Sequence, residues 1–229
     1  MSRVIAVIPA RKGSKRIPHK NTKEFCGKPL AIWTIIAACK TEEIDNVIVT
    51  TDDEYLLDMC SQFDVKTIIR DPYLCTDEAS SWDVAQDAMN QVQAKPDDIL
   101  IYLQPTSPLR TYRHIRAALM FFNLTKSDAV ISAYPCNKLN YGFKLTNGYL
   151  DPLFHKAYLK KRSQDLPEAY LPNGAIYIIK YGDFLTYHSF YGPLTKVFRM
   201  MPEYSVDIDD MNDFLYAEFL MRMRLMKNE

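Results

Sequence analysis

The chain has 229 residues, of which 48% are hydrophobic, and this composition suits one α/β domain with a buried core. The 28 Lys and Arg residues balance the 28 Asp and Glu residues, so no overall charge attracts nucleic acid or a membrane surface. No apolar run approaches the roughly 18 residues of a membrane span, and no signal-peptide pattern is present. Because the cysteines are scattered and the histidines lack zinc spacing, we expect a cytoplasmic protein without zinc.

In chain order, apolar runs alternate with segments of helical periodicity. The runs predict strands at Val4–Ile8, Asn46–Thr50, Lys66–Ile69, Ile99–Leu103 and Ala129–Ser132. The segments between them predict helices at Leu30–Cys39, Asp53–Phe63, Ser80–Val92 and Arg113–Leu124. This alternation predicts an α/β fold with a Rossmann-like, doubly wound, mostly parallel sheet. Ligands of such sheets bind at the carboxyl ends of the strands.

The segment 134–172 interrupts this alternation. It is rich in Pro, Asn, Gly and Tyr, has a candidate strand at Gly142–Leu145, and is too long for an idle loop. We predict that it is an inserted arm or lid on a single domain spanning residues 1–229. Its aromatic side chains favour a homodimer interface. Beyond it, Asn173-Gly174 predicts a turn into a strand at Gly174–Ile179, and Val197–Met200 predicts a further strand. Met211–Met226 predicts a final helix with an apolar stripe of Phe214, Leu215, Phe219, Met221 and Leu225.

A basic loop follows the first predicted strand. Five Lys and Arg residues lie between Arg11 and Lys20 around Gly13, and Pro9 and Pro18 stiffen the loop. Backbone N–H groups in such a turn form a concave nest, and the cationic side chains add charge. The loop therefore suits a ligand with several negative charges. Neither GxxxxGK[ST] nor GxGxxG is present, and a solvated basic loop is the alternative interpretation.

The sequence VDIDD at Val206–Asp210 contains two alternating acidic residues, Asp207 and Asp209. In an extended chain the two carboxylates share one face, about 6–7 Å apart, a spacing that suits a Mg²⁺ ion bridging to phosphates. The alternative interpretation is that these acids favour the dipole at the start of the helix Met211–Met226.

Taken together, these motifs resemble those of the cytidylyltransferases that make CMP-activated sialic acids, including legionaminate and pseudaminate. The resemblance spans nearly the whole chain in the family's order. It is carried by IPARKGSKRIPHKN, GKPLAIWTI, VIVTTDD, IRDPYLCTDEASSWDVAQDAM, LQPTSPLR, LPNGAIYI and VDIDD. Lys12 departs from the pattern, which usually has Gly there. We expect the loop to keep its role, because Lys12 is strained only if its φ must be positive.

The resemblance implies roles for individual residues. The nucleotide CTP would contact Arg11, Gly13, Ser14, Lys15, Lys20, Asn21, Arg70, Ser80 and Ser81. The sugar would contact Gln104, Arg162, Asn173, Tyr177, Phe190 and Tyr191. Asp207 and Asp209 would hold Mg²⁺ and form the catalytic set with Arg11 and Lys15. By pattern alone, the two serines fit a helix cap, the aromatic residues fit a core, and Ser163 competes with Arg162 for the family position.

The implied reaction transfers CMP from CTP to the anomeric hydroxyl of an acidic nine-carbon sugar, a nonulosonic acid, and releases pyrophosphate. The ASSWD run favours N-acetylneuraminate or a legionaminate-like acid over pseudaminate. Two alternatives remain open. One is activation of pseudaminate or of another 3-deoxy acid sugar such as Kdo, although Kdo enzymes lack the S-K-x-I-P-x-K-N run. The other is a catalytically silent regulator that binds nucleotide, which the presence of Lys15 and the acidic pair disfavours.

Overall fold

The computed structural model describes residues 2–227, and a seven-stranded sheet crosses the molecule. The strands are β1 (Val4–Pro9), β2 (Glu24–Phe25), β3 (Lys28–Pro29), β4 (Asn46–Thr51), β5 (Lys66–Ile69), β6 (Ile99–Tyr102), β7 (Ala129–Pro135), β8 (Phe143–Thr146), β9 (Tyr149–Pro152), β10 (Tyr170–Lys180) and β11 (Thr195–Arg199). The helices are α1 (Leu30–Cys39), α2 (Glu54–Cys60), α3 (Ser81–Gln91), α4 (Tyr112–Thr125), α5 (Tyr181–Tyr187) and α6 (Met211–Met226). Among these helices, none is both long and apolar enough to cross a membrane.

The central strands follow the order β11-β7-β10-β6-β1-β4-β5. Neighbouring strands pair in parallel except at β10, which runs antiparallel to both β6 and β7. From β1 the chain moves to β4 and β5 on one side and then returns to β6 on the other. Such a reversal opens a crevice at the carboxyl ends of the strands. The predicted doubly wound, mostly parallel sheet is therefore confirmed.

Both faces of the sheet are buried, because alternate residues of β1 enter different hydrophobic clusters. Ala6 and Ile8 pack with residues of α1 and α4 on one face. Ile5 and Val7 pack with residues of α3 and α5 on the other. All four side chains are completely buried. This packing fixes the carboxyl end of β1, where the basic loop begins.

A third hydrophobic cluster lies beneath the basic loop. The rings of Phe25 and Phe214 meet edge to face with centroids 5.4 Å apart, and Ile17 and Ile208 pack in the same cluster. Ile17 belongs to the basic loop and Ile208 to the acidic segment before α6. Burial of these two apolar side chains therefore holds two highly charged segments next to each other.

The turn predicted at Asn173-Gly174 is an irregularity inside a strand instead. β10 continues through both residues, and its register against β7 shifts between Pro172 and Tyr177. Gly174 adopts a φ of +70°, a conformation that glycine tolerates and that suits a bulge. The sequence signal for a local backbone change was correct, but the strand continues past it.

The buried face of α6 differs from the predicted stripe. Phe214, Ala217 and Met221 are buried, at the i, i+3, i+7 spacing of one helix face. Three residues that the predicted stripe places with them are exposed instead: Leu215, Phe219 and Leu225. Leu215 and Phe219 lie on the side of the helix away from the buried face, and Leu225 lies in the last turn of the helix, so the stripe prediction is wrong at these positions.

The segment 134–172 contains a separate two-stranded hairpin, β8–β9, and several short 3₁₀ turns. Leu145 and Leu150 pair across this hairpin, and both are largely exposed, as is Tyr149. The hairpin therefore presents an apolar surface to solvent. The boundaries of the arm and the homodimer remain predictions.

Candidate active site

A groove opens beyond the carboxyl ends of β1 and β6. One cavity, of about 260 Å³, lies between the basic loop, the segment before α3 and the loop after β6. A second, of about 390 Å³, lies over the basic loop and shares Arg11, Ser14, Lys20 and Asp77 with the first. The residues predicted to bind nucleotide that line the first cavity are Arg11, Gly13, Ser14, Lys20, Asn21, Arg70 and Ser81, and Lys15 lines the second.

Hydrogen bonds hold the basic loop in place. The Asn21 amide donates to the carbonyl of Arg11 at 2.9 Å, which closes the loop on itself. The backbone N–H of Lys12 donates to Asp52 Oδ1 at 2.6 Å. Lys12 is not among the described residues with positive φ, so it fits the loop without backbone strain.

One carboxylate binds two cations of the basic loop. Arg11 Nη2 donates to Asp77 Oδ1 at 2.6 Å, and Lys15 forms an ion pair with Asp77 Oδ2. The hydrogen bond with Lys15, which has the larger effect, and the hydrogen bond with Arg11 hold the pKa of the Asp77 carboxyl below its usual value. No pattern in the sequence marks Asp77, although it lies within IRDPYLCTDEASSWDVAQDAM, one of the segments that carry the family resemblance.

Lys20 lies deeper in the groove than Lys15. Its ammonium donates to the carbonyl of Ile208 at 2.8 Å. Burial lowers the pKa of Lys20, while the nearby carboxylates of Asp209 and Asp207 oppose this effect. Lys20 therefore links the basic loop to the acidic segment.

Arg70 and Ser81 line the groove from the side of β5 and α3. Arg70 is buried, and its Nη2 donates to the carbonyl of Thr50 at 2.7 Å. Burial lowers the pKa of its guanidinium. Ser80 instead caps α3: its hydroxyl donates to Asp83 at 2.6 Å and accepts from the Asp83 backbone N–H at 3.1 Å. These bonds occupy the Ser80 hydroxyl, whereas Ser81 lines the groove, and the nucleotide contacts of the two serines stay predictions.

Asp207 and Asp209 lie on the exposed side of their segment, while Ile208 between them is completely buried. The predicted alternation is therefore present, although the segment forms no strand. The helix-capping role belongs to the next residue, Asp210, whose side chain accepts from the backbone N–H groups of Asn212 and Asp213. Of the other two carboxylates, Asp209 lines the second cavity and Asp207 lies close to Gly174.

The carboxylate pair carries unfavourable charge density. Asp207 is exposed at its surface, but the protein atoms packed around its carboxyl displace water and raise its pKa, and repulsion from Asp209 adds to this effect. A hydrogen bond from Thr106 and the charge of Lys20 oppose it. Asp209 forms an ion pair with Arg16, with Oδ1 and Nη1 3.0 Å apart. A further cation between the two carboxylates would relieve the repulsion.

Gln104 and Asp207 both lie close to Gly174. A Cβ atom built on Gly174 would lie 2.5 Å from Gln104 Oε1 and 3.0 Å from Asp207 Oδ2. Gln104 also lines the first cavity, and the sequence predicts a ligand contact at this position beyond β6. The missing side chain at Gly174 thus allows Gln104 and Asp207 to approach each other.

The structure does not support the predicted sugar contact by Asn173. Its side chain is 1% exposed. Its Oδ1 accepts from the Ser132 hydroxyl at 2.6 Å, and its Nδ2 donates to Ser205 Oγ at 2.9 Å. Its carbonyl accepts from Ser107 at 3.1 Å. Asn173 therefore ties β7, β10 and the loop after β6 together, and it has no free polar group for a ligand.

The predicted aromatic contacts divide between core and surface. Tyr177 and Phe190 lie 5.3 Å apart between ring centroids, and Phe190 lies 4.8 Å from Tyr102. Phe190 is buried in the hydrophobic cluster beneath α3, so it belongs to the core. Tyr102 lines the first cavity, whereas Tyr191 is exposed. Tyr102, which sequence analysis did not select, is thus the aromatic residue at the groove.

Arg162 lies outside the groove of its own chain. It is exposed in the 134–172 segment and donates from Nε to Asp165 Oδ2 at 2.8 Å. Arg162 is not among the residues that line the two cavities. Its predicted contact with a sugar carboxylate depends on a second subunit and remains a prediction.

Arg110 supports the groove from below, and sequence analysis did not assign it a role. Its side chain is 2% exposed. Nη1 donates to the carbonyls of Gln104 at 3.1 Å and Ala175 at 2.8 Å, and Nη2 donates to Thr34 Oγ1 at 2.5 Å. Burial lowers the pKa of Arg110 to about 9, so the guanidinium is still charged at neutral pH.

A doubly wound sheet with a basic loop and an acidic pair at the strand reversal defines a nucleotide-binding α/β protein. Residues 5–220 match the cytidylyltransferase family, and the chain belongs to this family.

Two relatives and one solved structure illustrate the similarity. The N-acylneuraminate cytidylyltransferase of Streptococcus agalactiae serotype III (strain NEM316) is 34% identical over 93% of this chain and 52% of that protein. This chain thus spans about half the length of that relative. The pseudaminic acid cytidylyltransferase of Campylobacter jejuni (strain 81-176) is 31% identical, over 96% of each chain.

A solved structure of CMP:2-keto-3-deoxy-manno-octonic acid synthetase complexed with CTP shares the fold. Its TM-score is 0.74 at 19% identity, and the alignment covers 97% of this chain and 100% of that one. At this identity the likeness concerns the fold alone.

Proposed function

We propose that this protein is a cytoplasmic, homodimeric cytidylyltransferase that transfers CMP from CTP to the anomeric hydroxyl of a nonulosonic acid and releases pyrophosphate. One observation carries the proposal: two adjoining cavities share Arg11 and Lys20 and extend from the basic loop to Gln104 and Asp209, with Gln104 and Asp207 both close to Gly174. Membership of the cytidylyltransferase family and the names of the relatives support it. Five free cysteines suit a reducing compartment.

The acidic pair fits a Mg²⁺ ion. No group of three or more His, Cys, Asp or Glu residues within residues 2–227 could hold a metal, so the protein offers two carboxylates at most here. Mg²⁺ in phosphate-transfer sites characteristically uses one or two carboxylates and takes its other ligands from water and substrate phosphates. Desolvation and the neighbouring Asp209 carboxylate raise the pKa of Asp207, and a bound cation would offset both effects. When bound by Asp207 and Asp209, Mg²⁺ would polarise phosphate oxygens and orient them for in-line displacement.

In the proposed reaction the chain's own residues bind, orient and stabilise. The sugar hydroxyl gives up its proton to water and attacks the α-phosphorus of CTP, the bond from that phosphorus to the bridging oxygen breaks, and pyrophosphate departs. Arg11 and Lys15 stabilise the charge that develops on the departing group. Gln104, beside Asp207, is placed to donate a hydrogen bond to the acid sugar. No covalent intermediate on a protein side chain is required.

The preferred sugar is N-acetylneuraminate or a legionaminate-like acid. The pattern of the ASSWD run, at Ala79–Asp83, favours these over pseudaminate. Pseudaminate remains the second candidate, because the Campylobacter jejuni relative of that name aligns over nearly its full length. The groove retains Lys15 and Asp209, and Asp207 lies close to Gly174 next to it, so a regulator that only binds nucleotide is the weaker proposal.

Substitutions in the basic loop test the proposal. We expect Lys15→Ala and Arg11→Ala each to reduce kcat/KM by about a hundredfold or more, because a contact to transition-state charge is lost. Lys28→Ala, which removes an exposed lysine of β3 outside the groove, serves as the control. Steady-state assays with CTP and N-acetylneuraminate measure the effect. If both loop variants lost less than about threefold relative to the control, the assignment of the loop would be wrong.

A further inference from the structure

The Asp77 carboxylate occupies the same two cations that the proposed reaction assigns to the phosphates of CTP. It contacts Arg11 at 2.6 Å and also pairs with Lys15. Asp77 lines both cavities of the groove, so it lies inside the space that a triphosphate would enter. A ligand phosphate and the Asp77 carboxylate cannot both take the same hydrogen-bond donors of these cations.

Asp77 has no other described role that would fix it in place. Within residues 2–227, Arg11 and Lys15 are its only side-chain partners. The caps of the adjacent elements come from other residues, because Asp71 caps the 3₁₀ turn before it and Ser80 caps α3 after it. Residues 76–80 belong to no helix or strand. The carboxylate can therefore leave the cations without breaking a secondary-structure element.

Arg11 keeps a second anchor when Asp77 is displaced. Its Nη1 donates to the carbonyl of Cys75 at 3.3 Å, and its own carbonyl accepts from Asn21. A phosphate with several negative charges attracts the two cations more strongly than a single carboxylate does. Displacement of Asp77 by a triphosphate is therefore favourable, while displacement by a ligand that lacks the outer phosphates has no compensating gain.

We propose that Asp77 is an internal competitor for the pyrophosphate half of CTP: it holds Arg11 and Lys15 in the free protein, yields them to the outer phosphates of CTP, and takes them back as pyrophosphate leaves. This inference rests on the proposed function. Its consequence is a lower affinity for pyrophosphate, and hence weaker product inhibition, than the two cations would otherwise produce.

A structural role for Asp77 would have the opposite effect. If Asp77 served mainly to orient Arg11 and Lys15 for phosphate, its removal would weaken binding. If it competes, removal of its charge tightens binding, because the fraction of protein with free cations rises. The direction of the change in affinity therefore separates the two roles.

The test compares Asp77→Asn with Glu78→Gln, a matched loss of one carboxylate at the neighbouring exposed position, which forms no ion pair among the described residues. Calorimetric titrations use inorganic pyrophosphate, CTP and CMP. We expect Asp77→Asn to bind pyrophosphate and CTP about three- to tenfold more tightly, the range for two partly exposed ion pairs, with CMP unchanged. Glu78→Gln is expected to stay within about twofold of the wild type for all three ligands.

Unchanged or weaker binding of pyrophosphate by Asp77→Asn, relative to Glu78→Gln, would overturn the inference. Equal tightening for CMP would also overturn it, since CMP has no outer phosphates. A parallel titration of Lys15→Ala separates this result from the proposed function. If that variant binds pyrophosphate as the wild type does, the loop assignment itself is wrong. If it binds pyrophosphate weakly and Asp77→Asn shows no gain, only the role of Asp77 fails.

Discussion

Gly174 leaves room for two polar groups to meet at the proposed site. Its φ of +70° is a conformation that other residues rarely adopt, and an added Cβ would lie 2.5 Å from Gln104 Oε1. The same Cβ would lie 3.0 Å from Asp207 Oδ2. Backbone conformation and space therefore both require glycine here.

We expect Gly174→Ala to lose both stability and activity. The positive φ costs an alanine about 1–2 kcal/mol, and the new methyl group forces Gln104 and Asp207 apart. Gly27→Ala is the control, because Gly27 has a φ of +81° with no atom within 4 Å of an added Cβ. Thermal unfolding and kcat/KM are measured for both. We expect the two variants to lose similar amounts of Tm, and we expect only Gly174→Ala to lose tenfold or more of kcat/KM. Equal losses of kcat/KM in both variants would show that Gly174 has no special role at the site.

For individual residues, the sequence predicts which charged side chains lie at the groove better than it predicts their hydrogen-bond partners. Arg11, Lys20, Arg70 and Gln104 line the groove as predicted. Asn173 does not, because its amide is consumed by buried hydrogen bonds between elements that are distant in sequence. Pairings of this kind follow from tertiary contacts, and no local pattern encodes them.

The loop after β6 depends on one buried arginine. Arg110 connects the carbonyls of Gln104 and Ala175 and reaches Thr34 on α1. One side chain therefore holds the loop that carries Gln104, the middle of β10 and the first helix. Within residues 2–227 no carboxylate pairs with it, so its hydrogen bonds to backbone carbonyls compensate for its burial.

We expect Arg110→Met to lower both Tm and kcat/KM. Methionine fills much of the space, yet it removes the arginine donor to the buried Ala175 carbonyl and one of the two donors to the Gln104 carbonyl, at about 1–3 kcal/mol for a group left unpaired. Arg113→Met, which changes an exposed arginine of the same helix region, is the control and should shift Tm little. Circular dichroism melting and steady-state kinetics provide the readouts. A Tm equal to that of Arg113→Met would show that Arg110 does not hold the loop.

Among the elements, strongly periodic or apolar segments were predictable, and β1, β4, β5, β6 and β7 lie where the sequence places them. The helix α5 was missed, because its seven residues are too short to establish a period. The apolar stripe of α6 was predicted wrongly because the helix has apolar residues of its own on several sides. Which of its faces is buried depends on the cluster around Phe25 and Phe214.

At the scale of the whole molecule, the 134–172 segment carries the exposed apolar surface that a homodimer would cover. Leu145 and Leu150 are cross-strand partners of the β8–β9 hairpin and are 73% and 68% exposed. Apolar side chains that pair on one face of an isolated hairpin are typical of an interface. A two-fold dimer would also give Arg162 access to the partner's groove.

We expect the double substitution Leu145→Asp and Leu150→Asp to convert a dimer into a monomer, because like charges would then face each other across the interface. Leu124→Asp, on a residue of α4 that is 79% exposed, controls for added surface charge. Sedimentation velocity measures the state of each variant. A wild-type protein that is monomeric at tens of micromolar would contradict the predicted arm, as would a double variant that stays dimeric.

The most direct test of the proposed function is the release of pyrophosphate when the protein is mixed with CTP, Mg²⁺ and each of three acids: N-acetylneuraminate, legionaminate and pseudaminate. The proposal predicts release that requires CTP, Mg²⁺ and sugar together and that is fastest with N-acetylneuraminate or legionaminate. It also predicts that Asp209→Ala abolishes this release while the protein stays folded, since Asp209 is exposed. No release with any of the three acids, or the same release by Asp209→Ala with an unchanged Mg²⁺ dependence, would contradict it.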